Sequence, residues 1–295
     1  MNRNYEAVIV GGGHNGLIAA CYLAKAGMGV HILEREDSLG GATVSQKVFP
    51  EYEAQLSRYS YLVSLLPQRI IADLGLSFET LGRKIASYTP DMAGGLLVST
   101  DWNSETEDSF ASLTGSSKEF DEWQSFYSEV LHFAQVVAPT MLEKLPTRSE
   151  LKNAVNHEIW GSLIERPIGI AIEERFSNDL IRGVVLTDGL IGTFADAHDL
   201  AANRCFLYHL IGNQTGEWRV PKGGMGELVR ELTDVAVSLG VSFETSRDVL
   251  SISKDLLLTC ASGEIYQANF VLANCAPQIL AKLTGESAPT SLEGS

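Results

Sequence analysis

The stretch from Ala7 to Cys21 limits what this chain can fold into more than any other. Ala7-Val-Ile-Val10 is an unbroken apolar run of strand length. Gly11-Gly-Gly-His-Asn-Gly16 is too rich in glycine for regular structure, and Leu17-Ile-Ala-Ala-Cys21 returns to apolar residues that suit a helix. Gly11, Gly13 and Gly16 fit G-x-G-x-x-G, and Gly29-Val-His-Ile-Leu33 forms a second apolar strand that ends at Glu34. Each part has its own task. Gly11 permits a tight turn, Gly13 lets the backbone approach a diphosphate, and Gly16 allows a helix to lie close on the strand. The free N–H groups of the first helical turn then face an anion.

Glu34 is positioned to accept hydrogen bonds from both hydroxyls of an adenosine ribose and to repel a 2′-phosphate, which favours FAD or NAD over NADP. A glycine motif alone is weak evidence in a chain with 27 glycines. Strand, glycines, helix, strand and acid in this order carry the inference.

At 295 residues the chain is long enough for two domains. Its net charge of -15 argues against a nucleic-acid or anionic-membrane partner. Cys21, Cys205, Cys260 and Cys275 are widely spaced with no C-x-x-C pair, so neither a redox disulfide nor a metal cluster is expected. Without a secretory leader or an apolar run long enough to span a bilayer, the expected placement is cytoplasmic.

Spacing predicts a helix over 14–25, a helix from Pro67 to Leu74 and a strand pair within 84–99. A short helix follows over 104–113, then a longer one capped by Ser116 or Ser117 and ending at Pro139. In the latter, Trp123, Phe126, Val130, Phe133 and Val137 either border an apolar pocket or serve as ordinary core. One helix is expected between Ser149 and Ile164, and others over 168–174 and 202–211. Gly189 to Ala195 reads as a loop or broken helix near substrate or flavin. The helix starting at Glu227, the strand Val241–Glu244, the hairpin of 256–260 with 264–266, and the strand 270–274 complete the series. A disordered tail is expected from residue 282. His198 and His209 read as packed or surface histidines, and no catalytic base stands out.

Taken together, the stretches Gly11–Leu17, Leu33–Arg35, Gly40–Ala42, Thr187–Phe194, Pro221–Met225 and Val271–Asn274 resemble the phytoene-desaturase-like branch of the FAD-dependent amine-oxidase and carotenoid-desaturase superfamily. The nearest likeness is to the subgroup of pyridine nucleotide-disulphide oxidoreductase domain-containing protein 2. The resemblance implies an α/β fold: a Rossmann-type FAD-binding domain (1–82 and 217–281) with an inserted, mainly helical α+β substrate domain (83–216), the later half of the family fold being absent. It implies FAD held by Gly11, Gly13, His14, Asn15 and Gly16 at the diphosphate, and by Glu34 and Arg35 at the adenosine. Gly40, Gly41, Ala42 and Thr43 would lie beside the ribityl chain. Val249 would meet adenine, and Ala273 and Asn274 would pass under the phosphates. A turn at Gly223 and Gly224 would lie near the flavin, a structural role being equally open there. The implied reaction is hydride transfer from an apolar, isoprenoid or lipid-like small molecule to flavin. The alternatives are an NAD-dependent enzyme, and a shortened, non-catalytic dinucleotide-binding protein that acts through a partner or by self-association across an uncovered apolar face.

Overall fold

A computed structural model describes residues 3–60, 62–63, 65–92, 94–211 and 218–286. The chain divides into two compact units: Met1–Leu62 and Arg69–Thr80 with Val220–Ser295, and Val63–Gln68 with Leu81–Arg219.

The first unit opens with strand β1 (Arg3–Val10), whose Ala7, Val8, Ile9 and Val10 are all buried. Helix α1 (His14–Lys25) follows, turning Gly16, Leu17, Ala20 and Cys21 inward, and then β2 (Val30–Leu33), every residue of which is buried. Continuous apolar strands of this kind belong to sheets covered on both faces. Short strands β3 (Ser45–Gln46) and β4 (Leu56–Ser57) pair antiparallel, and helix α2 (Gln68–Leu74) and strand β5 (Thr80–Leu81) come next.

The second unit begins with the antiparallel pair β6 (Ile85–Asp91) and β7 (Gly94–Ser99). Helices α3 (Ser104–Thr114) and α4 (Lys118–Val137) follow, then a 3-10 turn, α5 (Arg148–Ala154), α6 (His157–Trp160), α7 (Ile168–Arg175), α8 (Asp179–Leu190) and α9 (Leu200–Ile211). Its core gathers Phe110, Phe120, Trp123, Phe126, Phe133, Phe176 and Phe206. The aromatic row of α4 is therefore core, apart from Tyr127, which is half-buried. Two buried polar residues tie helix ends together. Glu119 Oε1 accepts from Ser177 N and Asn178 N, and Asn203 accepts from Ile168 N while donating to Leu163 O and Arg166 O.

Two expectations in this unit change. The helix foreseen between Ser149 and Ile164 breaks at Val155, which is extended (φ -109°, ψ 148°). Asn156 then caps a new start by accepting from Glu158 N, and Gly161–Glu165 closes as a π turn. The stretch 189–195, read as a loop or broken helix, is helical only at its start: α8 runs through Gly189 to Leu190 and the chain leaves the helix from Ile191. Gly189 faces Ala202 and Phe206 of α9, so tertiary packing outweighs the ~1 kcal/mol helix cost of a glycine.

Back in the first unit, β8 (Val220–Pro221) precedes α10 (Gly226–Ser238), which packs beside α1 with Leu228, Val229, Leu232 and Ala236 buried. Strands β9 (Ser242–Glu244), β10 (Val249–Ile252), β11 (Leu257–Cys260) and β12 (Ile265–Ala273) complete a six-stranded sheet of order β10-β11-β12-β1-β2-β9. Strands β12, β1, β2 and β9 are mutually parallel, whereas β10 and β11 run antiparallel to their neighbours. The tail expected from residue 282 begins inside helix α11 (Pro277–Thr284), where Leu283 is buried against Val249 and Tyr266; its remaining residues from 287 lie outside those described. Pro277 at the first turn and Gly285 at φ +72° mark the two ends of this helix.

Candidate cofactor-binding cleft

Strand β1 delivers the chain to Gly11 at the carboxyl edge of the parallel strands, where α/β folds of this kind build their ligand sites. Gly11 sits at φ +100°, and a Cβ there would lie 2.6 Å from the Asn274 carbonyl oxygen. A Cβ on Gly16 would meet the Gly11 carbonyl at 2.5 Å and Asn274 Nδ2 at 2.7 Å. Asn274 thus closes the turn: its N–H donates to Val10 O (2.8 Å) and its side-chain amide to Gly11 O (3.0 Å). Gly40 N donates to Gly12 O, and a Cβ on Gly41 would stand 3.2 Å from Gly13 Cα. The second glycine pair therefore approaches the first glycine turn, and the two form one cradle.

The start of α1 is open. Gly13 precedes it in extended conformation and no side chain caps it. By contrast, Ser57 Oγ accepts from Met225 N and Ser45 Oγ from Gly226 N at the start of α10. The turn at Gly223 and Gly224 thus meets Ser45, and a Cβ on Gly224 would lie 2.5 Å from that hydroxyl. Only 7% exposed, Glu34 has one carboxylate oxygen accepting from Gly12 N at 2.6 Å and the other from Glu36 N at 2.9 Å. Each oxygen keeps a lone pair for a further donor. His14 Nδ1 lies 2.8 Å from the hydroxyl of buried Thr43, and burial pulls the imidazole below its ordinary pKa, so it enters the cradle neutral.

A cleft of about 410 Å³ opens on this turn. Among its lining residues are Gly11, Gly13, His14, Asn15, Glu34, Arg35, Gly41, Ala42, Val249 and Asn274. Gly16, Gly40, Thr43 and Ala273 stand behind that wall. Gly16 is packed under Gly11, Gly40 against Val44 and Val229, Thr43 on His14, and Ala273 pairs with Val10. Sequence reasoning missed Arg247, Asp248, Cys275, Ala276, Ile279 and Leu283, which also line it. The Arg247 guanidinium is already engaged, with Nε 3.0 Å from Glu244 and NH2 3.6 Å from Glu264, while its backbone N–H donates to Glu34 O. Arg35 is paired with Glu36. Negative charge at the cradle would accordingly be met by backbone N–H groups and the α1 dipole.

Residues 9–68 match the model of the NAD(P)-binding Rossmann-like domain. An uncharacterized protein of Mycobacterium tuberculosis H37Rv is 40% identical over 97% of this chain, which covers 56% of that protein. Mouse pyridine nucleotide-disulfide oxidoreductase domain-containing protein 2 is 26% identical over 95% of the chain and 54% of its own length. A solved putrescine oxidase variant superposes with a TM-score of 0.66 at 18% identity, covering 99% of this chain and 62% of that one. This is a Rossmann-type dinucleotide-binding fold. The dinucleotide fold here spans little more than half the length of the curated relatives it matches. No helix among the described residues is long and apolar enough to cross a membrane, and no group of His, Cys, Asp or Glu among them could hold a metal ion.

Proposed function

We propose that the chain binds FAD in this cleft, and that it is a flavin-dependent oxidoreductase of the desaturase type acting on an apolar, isoprenoid or lipid-like molecule. The observation that carries the reading is Glu34. Two backbone N–H groups hold its carboxylate as a ready acceptor, on the same cleft as the uncapped start of α1. An adenosine ribose offers the two hydroxyls that such an acceptor takes, and the diphosphate takes the helix start. The glycine cradle fits the same group, since the two glycine turns close on each other without side chains: a Cβ on Gly41 would stand 3.2 Å from Gly13 Cα and one on Gly13 3.3 Å from Asn274 Nδ2. In this reading Gly11, Gly13, His14 and Asn15 face the diphosphate, Gly41 and Ala42 the ribityl side, and Arg35 and Val249 the adenosine. Gly16, Gly40, Thr43, Ala273 and Asn274 hold the turn in shape. When bound, the flavin supplies the hydride-accepting chemistry, and the protein supplies position and exclusion of water. Four free thiols fit a reducing, cytoplasmic placement.

The purified protein is expected to be yellow and to release FAD on denaturation, identified by mass. Glu34→Gln keeps the shape but removes the negative charge and turns one of the two acceptor oxygens into an NH2 donor, and should weaken FAD binding about tenfold. Release of NAD, or of no adenine dinucleotide, overturns the proposal. A second reading, a non-catalytic binding protein that meets a partner or a second copy, draws on Met92 and Phe194, which are fully exposed. A flavin that is bleached by reductant and recovers with an electron acceptor excludes it.

A further inference from the structure

One buried hydroxyl beside the cradle has a single partner. Thr43 is 1% exposed, and the second glycine turn fixes its place: its backbone N–H donates to Gly40 O at 2.9 Å. Gly40 N in turn donates to Gly12 O, and Gly13 and Gly40 form a parallel bridge. The threonine is thus tied to the same turn that launches α1, whose first residue is His14. Among the described residues the Thr43 hydroxyl meets His14 Nδ1, at 2.8 Å, and no other group.

That contact can be made in two ways, and their costs differ. If Nδ1 held a proton and donated it, the Thr43 O–H would be left buried without an acceptor, the more expensive kind of orphan. If Thr43 donates, its proton is used and the Nδ1 lone pair is filled. The neutral ring then carries its own proton on Nε2. A doubly protonated ring would require the costly arrangement. Burial and the positive end of α1 both oppose it as well. Nε2 makes no hydrogen bond among the described residues, and the partnerless atoms closed off from solvent belong to His31, Glu119 and Trp123. Because His14 lines the cleft with Gly11, Gly13 and Asn15, its Nε2–H is an open donor there.

We propose that Thr43 is a positioning residue: its hydroxyl donates to His14 Nδ1 and thereby presents His14 Nε2–H to a diphosphate oxygen of the bound dinucleotide. The imidazole adds an uncharged side-chain donor to the backbone N–H groups at the start of α1. It does so in a cleft whose Arg35 and Arg247 are already engaged with carboxylates. With one tautomer pinned beforehand, the donor stands ready before the ligand arrives, and binding requires no proton rearrangement. The proposal rests on the dinucleotide reading of this cleft and goes beyond it, by fixing which nitrogen holds the proton and which residue decides.

The test is nitrogen NMR of the full chain with isotope-labelled histidine rings, which separates protonated from unprotonated ring nitrogens. The His14 signals are those lost in His14→Gln. In the cofactor-free chain the proton should sit on Nε2 alone. Thr43→Val keeps the shape without the hydroxyl. It should give a mixture of tautomers and about three- to tenfold weaker FAD binding, followed by flavin fluorescence. Thr43→Ser, which keeps the hydroxyl, should restore both, whereas a purely packing role for Thr43 would leave the ring proton where it was. FAD should shift the Nε2 signal, and adenosine, which has no phosphate, should not. A proton on Nδ1 in the free chain, or an unaltered tautomer in Thr43→Val, overturns the proposal. Should Thr43→Val unfold, the unsubstituted chain still decides, by the site of its proton and by its response to FAD. FAD that binds without moving the His14 signals defeats this proposal alone. NAD that moves them while FAD fails to bind defeats the flavin reading alone, and if neither moves them the diphosphate contact falls.

Discussion

A methyl group on Gly16 would stand 2.5 Å from the Gly11 carbonyl oxygen, closer than real side chains approach backbone. Gly16→Ala should therefore cost roughly 1–3 kcal/mol of stability and weaken the proposed FAD binding, read by thermal melting and by flavin absorbance. Asn274→Ala removes the amide that fastens Gly11 O and should loosen the same turn by about 1 kcal/mol, with less loss in Asn274→Gln if the longer amide still reaches. The glycines were legible in the sequence because each answers a local demand, such as the positive φ of Gly11 or the close approach at Gly16. Arg247, Asp248, Ile279 and Leu283 were not legible as cleft residues. They arrive from the far end of the chain, and no local pattern says which strand end they will share with Glu34. Thr43 shows the reverse: expected beside the ribityl chain, it turns its hydroxyl to His14 and stays behind the cleft wall.

Among elements, the amphipathic helices α1, α4 and α10 could be read from spacing, since their apolar faces repeat over several turns. The break at Val155–Asn156 could not, because a cap and a π turn divide an otherwise continuous helical pattern. Helix α11 was missed for a related reason: its amphipathic stretch is short and runs straight into a polar, Gly/Ser-rich segment. Asn203 holds three backbone groups of the segment joining Leu163 to Ile168, so Asn203→Ala should cost roughly 2–4 kcal/mol, measured by denaturant unfolding. His31 on β2 makes a pH prediction. It is stacked on Tyr5 at 4.3 Å and 5.6 Å from Tyr266, with Ser242 on Nδ1, and Glu244 and Arg3 facing it. Desolvation lowers its pKa below the ordinary 6.5, so the folded state favours the neutral ring. The unfolded chain then binds the extra proton first. This contribution is complete above pH 6.5 and is lost as pH falls toward the folded value. Melting temperatures across this range should fall less steeply in His31→Phe, which keeps the stack without the titrating group.

For the molecule as a whole, the order of strands and helices in the first unit followed from the alternation of apolar runs and glycines. The limits expected for the second unit, 83–216, came from the family resemblance, because its helices carry no motif that marks where the insertion ends. A ligand that binds only the folded state stabilises it by ~2.7 kcal/mol at a hundredfold excess over its Kd. FAD should raise the melting temperature accordingly, whereas NADP, whose 2′-phosphate meets the buried Glu34, should leave it unchanged. Strand β1 lies between β2, which follows it directly, and β12, which follows more than 250 residues later in register with it from Arg3↔Tyr266 to Val10↔Ala273. On the ribosome, strand β1 therefore emerges with one flank bare, and that flank stays bare until β12 has been made. The cradle gains its Asn274 clasp only after β12 has been made, so the turn that the first glycines begin cannot be closed by its immediate neighbours in the chain.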